Sequence, residues 1–323
     1  MKKVLITGGL GLIGHNVVSK LEDLGHDVLI IDNMTNYGII PEDEMNYLIK
    51  ERTKKIYSVC HPYDIENAGA IDRTFDSYTP DIVIHMASFP RQKVVNANPA
   101  LGARTMMEGL MNLCEASKRN NVEKFVYISS SMVYGDFIDD VTEDALCKPQ
   151  GQYGIMKLAG EYIVKDYSRR DCFNHTIIRP SAVYGPLDVE DRVISKFMLT
   201  AMRGGVLNVN GAGETLDFTY VDDAADGIVA AALSENTRNK TYNITKSHST
   251  TLLDAAEFAV KLAGKGTINV RGRDLDFPSR GALNIDAARR DFGFDPKVDV
   301  KEGFQIYYEW LSNSPFWSQK TIR

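Results

Sequence analysis

The chain has 323 residues, long enough to bury a large core in one big domain or two smaller ones. Its 44% apolar and 25% charged content is that of an ordinary globular protein. The net charge of −6 excludes a general nucleic-acid binder, which would carry a basic surface, but leaves room for an anionic small ligand held by a few local donors.

The four cysteines, Cys60, Cys114, Cys147 and Cys172, are scattered with no Cys-x-x-Cys pair. That usage fits reduced thiols in a cytoplasmic protein and offers no metal site. No apolar run approaches the ~20 residues of a membrane span, and the chain opens directly on a strand, so neither a membrane partner nor a signal peptide is expected.

Lys3 to Asp32 reads as strand, glycine turn, helix, strand. Val4-Leu5-Ile6 is a short buried-type run, followed at once by Thr7-Gly8-Gly9-Leu10-Gly11-Leu12-Ile13-Gly14. A helical pattern follows, with Val17, Val18, Leu21 and Leu24 apolar, and Gly25 closes it where a positive φ is often needed. Val28 to Ile31 is a second strand with Asp32 at its end. Gly8, Gly11 and Gly14 let a pyrophosphate approach the helix N-terminus, and Gly14 lets the helix pack on the sheet. Asp32, 18 residues beyond Gly14, stands where an acid accepts the adenosine ribose hydroxyls. Asn33-Met34-Thr35 supplies no arginine for a 2′-phosphate, so the cofactor expected is NAD rather than NADP.

Further along, a helix is predicted near Glu44–Lys50, a third strand at Ile56–Val59 and a helix over Ala70–Tyr78. Asp81 to Ala87 reads as a fourth strand, Pro99–Asn120 as a helix and Phe125–Ile128 as a fifth strand ending in Ser129-Ser130-Ser131. Tyr153–Arg169 is a helix and Thr176–Arg179 a sixth strand. This alternation predicts an α/β fold with a doubly wound parallel sheet, in which ligands bind beyond the carboxyl ends of the strands. After Pro180 the pattern changes: a short strand and turn at 206–211, an alanine-rich helix at 224–233, a strand at 242–244 and helices at 252–262 and 300–311. The expected division is a dinucleotide-binding domain of residues 1–178 plus about 216–240, with a smaller mixed lobe woven from 179–215 and 241–323.

Tyr153 and Lys157 lie four apart, hence on one helix face, and Ser130 ends the preceding strand. A phenol is a poor base at neutral pH, but a nearby ammonium and an oxidised nicotinamide favour its phenolate. Such a group can take the proton of a sugar hydroxyl while hydride leaves the carbon. Alone, the Tyr–Lys spacing is common on helices, and serines at strand ends usually make turns. His85, ending a central strand, reads as a packed residue rather than a catalyst; His15 either approaches the phosphates or is exposed.

Jointly these features resemble the extended short-chain dehydrogenase/reductases, in the branch of NAD-dependent nucleotide-sugar epimerases and dehydratases that includes UDP-glucose 4-epimerase-like enzymes. The resemblance covers nearly the whole chain. It rests on the glycine turn, Asp32, Asp64-Ile65, His85-Met86-Ala87-Ser88, Ser129 to Gly135, Tyr153-Gly154-Ile155-Met156-Lys157, Arg179 to Pro186 and Asp217 to Asp223. It implies Tyr153 as base, Lys157 as its partner and Ser130 as the hydroxyl that assists. It implies a cofactor site of Gly8, Gly11, Leu12, Ile13, Gly14, Asp32, Asn33, Asp64, Ile65, Met86, Ala87, Ser88, Tyr153, Lys157, Pro180 and Val183. Substrate contacts are implied at Ser88, Arg91, Ser130, Ser131, Met132, Tyr153 and Arg280, the arginine on the sugar-nucleotide pyrophosphate.

Three departures matter. Ser131 and Met132 stand where dehydratases of the family place acidic residues, Ala182 replaces Asn or Thr, and Leu216 replaces Arg. The resemblance therefore implies an NDP-sugar 4-epimerase, with an NDP-sugar C4 dehydrogenase, a 4-keto reductase and a non-catalytic dinucleotide sensor or scaffold as alternatives. It also implies a homodimer built on the helices predicted at 99–120 and 153–169, and a place in polysaccharide synthesis.

Overall fold

The computed structural model describes residues 1–35, 38–89 and 92–321. Alternating burial along each early strand builds two layers of core around one sheet. In β1 (Lys3–Thr7), Val4 and Ile6 face one side and Leu5 the other. The same alternation runs through β2 (Asp27–Ile31), β4 (Ile82–His85), β5 (Lys124–Ile128) and β6 (Asn174–Pro180), with β3 (Val59–His61) as one edge. Further on come β7 (Val183–Tyr184), β8 (Val206–Asn210), β9 (Thr215–Asp217), β10 (Thr219–Tyr220), β11 (Lys240–Ile244), β12 (Ser249–Thr251) and β13 (Thr267–Arg271). The main sheet has seven parallel strands in the order β11-β6-β5-β4-β1-β2-β3. The order reverses between β1 and β4, so a crevice opens at their carboxyl ends.

Helices cover both faces, as the sequence pattern predicted. On one side α1 (Leu12–Asp23) packs against the alanine-rich α9 (Val221–Leu233), with α11 (Asp286–Phe292) beside them. On the other lie α3 (Ala68–Tyr78), α6 (Gly109–Arg119) and α7 (Gly151–Arg169), with Ile71, Phe75, Leu113 and Val164 against Leu5, Val83 and Phe125. The long helix expected at 99–120 is interrupted: α4 (Gln92–Ala97) precedes α5 (Pro99–Ala103), and a π turn at Arg104–Glu108 joins α5 to α6. That turn carries Thr105, whose hydroxyl donates to Glu66 at 2.7 Å.

The smaller lobe has its own core. Phe197, Met198 and Met202 of α8 (Val193–Met202) meet Phe218, Ala255 and Ala259 of α10 (Leu252–Ala263), and Phe304 and Tyr307 of α12 (Val300–Asn313). The short helix α13 (Pro315–Thr321) adds Trp317. The small sheets β7-β10, β9-β12 and β8-β13 stitch this lobe together. The helix α2 (Glu42–Thr53) lies between the lobe and the start of the main sheet.

Two expectations need correction. The third strand begins at Val59, not Ile56, because the Glu22 carboxylate accepts the backbone N–H groups of Tyr57 and Ser58 at 3.0 and 2.7 Å and withdraws them from a ladder. The strand at 242–244, assigned to the second lobe, is part of β11 and pairs with β6 in the main sheet, with Tyr242 and Ile244 in its core. The two parts are therefore more deeply interwoven: Ile285, Ala288 and Phe294 also belong to the main core, whereas Leu216 and Phe218 belong to the lobe.

Three histidines are buried neutral. His85 is 2% exposed, its Nδ1 is 2.7 Å from Thr7 Oγ1, and burial pushes its pKa down to about 3. Burial likewise holds His15 and His175 at about 4. The unfolded chain takes up these protons below about pH 6.5, so their contribution to stability falls as pH drops. Substituting His85→Gln removes one share. The excess stability of the parent over this variant is expected to shrink by about 2 kcal/mol between pH 7 and 5, in denaturant titrations at both pH values.

Candidate active site

The glycine turn fits a dinucleotide in shape and in donors. Gly8 has φ +73° and its N–H donates to Ile31 O at 2.8 Å. A Cβ on Gly8 would lie 2.7 Å from Ala87 N, and one on Gly14 would lie 2.2 Å from Gly8 O. Gly11 caps α1 with no side-chain hydrogen bond and no acid in the first turn, so the amide end of the helix is open to an anion. His15 is not exposed: its Nδ1 sits 2.9 Å from Gly11 O and, being neutral, it adds no charge to this end.

Asp32 Oδ2 accepts the Leu10 N–H at 2.9 Å and Oδ1 the Met34 N–H at 2.8 Å. Burial raises its pKa, opposed by these bonds and by Arg52. Beside it Asn33 Nδ2 donates to Asp64 Oδ2 at 3.0 Å, and Ile65 is buried beneath Gly109. Met86 N and Ala87 N donate to Thr7 O and Thr7 Oγ1, at 3.0 and 3.2 Å, which lays 86–88 alongside the turn.

The second half of the cleft begins where β5 ends. Ser130 caps a short 3-10 turn, Ser131–Val133, its Oγ accepting the Met132 N–H at 3.2 Å. α7 approaches closely here, since a Cβ on Gly154 would lie 2.8 Å from Met132 O. Ser130 stands near enough to Tyr153 to lower its pKa, and Lys157 Nζ lies 5.9 Å from the Tyr153 ring centroid. Lys157 Nζ donates to Ile128 O at 2.8 Å. Burial raises the Tyr153 pKa, opposed by the Arg192 charge and the Ser130 hydroxyl, and burial pushes Lys157 down to about 7 against the pull of Glu161. The structure thus brings the serine, tyrosine and lysine together, with desolvation dominating both titrating groups.

All of this lines one continuous cleft of about 790 Å³, the size of a site for a small organic ligand. Every cofactor, substrate and catalytic residue implied by the resemblance borders it, including Leu12, Ile13, Ser88, Pro180, Val183 and Arg280, except Arg91, which lies outside the described residues with Pro90. Arg280 stands at the smaller lobe's wall. Among the described residues its Nε has no hydrogen-bond partner, and burial lowers its pKa to about 10, so it stays charged at neutral pH. No cluster of three or more metal-ligating side chains occurs among the described residues.

A family model for the NAD-dependent epimerase/dehydratase family matches residues 4–245. The chain belongs to this family. It is 27% identical to protein CapI of Staphylococcus aureus, over 95% of this chain and 98% of that one. It is 26% identical to human dTDP-D-glucose 4,6-dehydratase, covering 96% and 89%. In structure it is similar to the UDP-glucuronic acid 4-epimerase of Bacillus cereus, solved with UDP-glucuronic acid and NAD, with a TM-score of 0.88 at 26% identity over 95% and 98%. The protein is an NAD-dependent enzyme of this family.

Within the family framework, one buried charge cluster escaped the sequence reading. Glu161, one turn beyond Lys157, accepts from Ser129 Oγ at 2.6 Å and from Arg179 Nε and Nη2 at 2.9 and 2.7 Å. Arg179 Nη1 also donates to Tyr134 OH at 2.9 Å. Both partners of the pair are almost wholly buried. The cluster ties the residue before Ser130, the residue before Pro180 and the helix of Tyr153 to one another. Its sequence signal was the i,i+4 step from Lys157, which marks Glu161 as facing the same way. Arg192, whose charge acts on Tyr153, follows no local pattern and could not be found so.

Removing one partner of a buried pair leaves the other charge uncompensated. Glu161→Gln is therefore expected to lower stability by about 3 kcal/mol or more, and the apolar double replacement Glu161→Met with Arg179→Leu to recover part of that loss, by equilibrium unfolding of the three proteins.

Proposed function

We propose that the protein is an NAD-dependent nucleotide-sugar 4-epimerase that works by transient oxidation at C4 of an NDP-hexose. The observation that carries this reading is the continuity of the cleft: an open glycine turn, the Ser130–Tyr153–Lys157 group and the Arg280 guanidinium, whose Nε has no hydrogen-bond partner among the described residues, border the same space. A dinucleotide and a sugar nucleotide laid end to end have those three needs.

NAD, when bound, supplies a hydride acceptor that becomes the donor for the return step. Tyr153 Oη takes the proton of the C4 hydroxyl and gives it back when the carbonyl is reduced. Ser130 Oγ donates a hydrogen bond to the same oxygen, and the Lys157 ammonium favours the phenolate. Arg280 holds the pyrophosphate through charge-assisted bonds. Glycines 8, 11 and 14 leave the α1 amides open to the cofactor phosphates, with Asp32 on the adenosine ribose.

Water loss would need an acid and a base beside the sugar. Ser131 donates instead to Ser181 Oγ at 3.1 Å, and Met132 is buried and apolar. This favours epimerisation over dehydration. A C4 dehydrogenase that releases its keto sugar shares every residue named. We also propose a homodimer through α6 and α7, whose outer surface exposes Met111, Ile155 and Tyr162.

Incubation with a panel of NDP-hexoses and NDP-uronic acids, followed by mass spectrometry and near-ultraviolet absorbance, tests the reaction. An isomer of equal mass with no lasting NADH signal is expected. A product two hydrogens lighter with NADH accumulating would make the enzyme a dehydrogenase, and loss of water a dehydratase. Tyr153→Phe is expected to keep NAD and to lower turnover by about 10²-fold or more. Light scattering should give twice the 36.0 kDa chain mass.

A further inference from the structure

α2 leaves the main sheet after Asp32 and spans to the smaller lobe. Its last turn carries Arg52, a guanidinium 5% exposed. Nη1 donates to Leu10 O at 3.0 Å and Nη2 to Leu187 O at 2.7 Å; Nε has no hydrogen-bond partner among the described residues. Leu10 belongs to the glycine turn and its N–H is bound by the Asp32 carboxylate, so the guanidinium and that acid hold the same residue of the turn, one by its carbonyl and the other by its amide. Leu187 follows Tyr184-Gly185-Pro186 and has φ +69°, a left-handed conformation that a leucine adopts only when its surroundings hold it there. Burial lowers the Arg52 pKa, while Asp188, Asp32 and Glu44 counter it, so the cation is compensated from both halves of the molecule.

The rest of α2 is fastened to the same lobe. Glu44 Oε1 accepts the Glu190 N–H at 2.7 Å, Tyr47 OH meets Ser314 Oγ at 2.7 Å, and the Tyr47 ring stacks on Phe316 at 4.6 Å between centroids. One helix thus joins the dinucleotide turn to the segment 187–190 and to α13.

We propose that Arg52 is a positioning residue that couples occupation of the dinucleotide turn to the placement of the smaller lobe. A planar fork reaches two carbonyls at once, which a lysine ammonium on a flexible stem does not reproduce. With both bonds made, the turn and the 187–190 wall are held at one spacing, and a dinucleotide on the turn is retained while the sugar half of the cleft is set. The inference concerns NAD binding alone and does not depend on which sugar or which reaction the cleft serves.

The test uses the full-length protein, its Arg52→Lys and Arg52→Gln variants, and NAD with no sugar present. Calorimetric titration of Arg52→Lys is expected to show NAD affinity weakened about tenfold or more, with the melting temperature of the NAD-free protein little changed. Hydrogen exchange of the parent should slow on NAD addition at 315–318, which does not border the cleft, and this transfer should be lost in Arg52→Lys. Unaltered NAD affinity in a folded variant, or a lowered melting temperature with affinity intact, would assign Arg52 to stability alone and overturn the proposal. If Arg52→Gln does not fold, Arg52→Lys decides. If neither folds, the exchange experiment on the parent decides, and no NAD-dependent protection at 315–318 overturns the coupling.

Discussion

α1 lies so close to the turn after β1 that Gly14 has no room for a side chain, its nearest neighbours being the backbone of Gly8 and Gly9. That contact fixes how far the helix N-terminus stands from the sheet. On its other side Gly8 meets the chain beyond β4, where a Cβ would lie 2.7 Å from Ala87 N, and this sets the level at which β4 continues into Met86, Ala87 and Ser88. A parallel sheet whose order reverses between β1 and β4 opens a crevice at that point, and the glycine contacts set its floor. Ser130, Pro180, Tyr153 and Lys157 are carried to the rim of the same crevice by the carboxyl ends of β5 and β6 and by α7, which runs alongside.

Electrostatics then decides what the crevice can do. Lys157 is buried against Tyr127 and Ile128 O, and desolvation alone would strip its proton at neutral pH. Glu161 opposes that, and itself accepts two hydrogen bonds from Arg179 and one from Ser129. A buried triad of this kind contributes little net stability against an apolar packing. Its value here is positional, because it joins the three elements that present Ser130, Pro180 and Tyr153. Lys157 is thus set between burial, which lowers its pKa, and the Glu161 carboxylate, which raises it, while burial raises the neighbouring Tyr153.

Much of this was legible in the sequence because the signals were local. The glycine turn with its following acid, the Tyr–Lys step on one helix face and the serine at a strand end each occupy a few consecutive turns of chain. What was not legible depended on distant partners. The Glu22 carboxylate, 35 residues away, took the amides of Tyr57 and delayed β3. β11 read as a stray strand because its burial comes from pairing with β6. α8 is buried nearly all round and so shows no amphipathic stripe, and β13 is exposed along almost its whole length and shows no alternation. In the site itself, Arg52 and Arg192 arrive from segments with no motif, and only the folded chain reveals which charges they face.

The departures from the family pattern fall together in space. Ala182 holds φ +36°, a region that asparagine tolerates far better than alanine. Next to it, Ser181 Oγ accepts from Ser131, the residue that replaces an acid in the dehydratases. Small hydroxyls and a methyl group thus line this wall. Such a wall can hydrogen-bond a sugar but has no titrating group to remove a carbon-bound proton, and it takes up less space. A pocket that lets a keto sugar turn over between two hydride transfers, as the proposed epimerisation requires, gains from both properties.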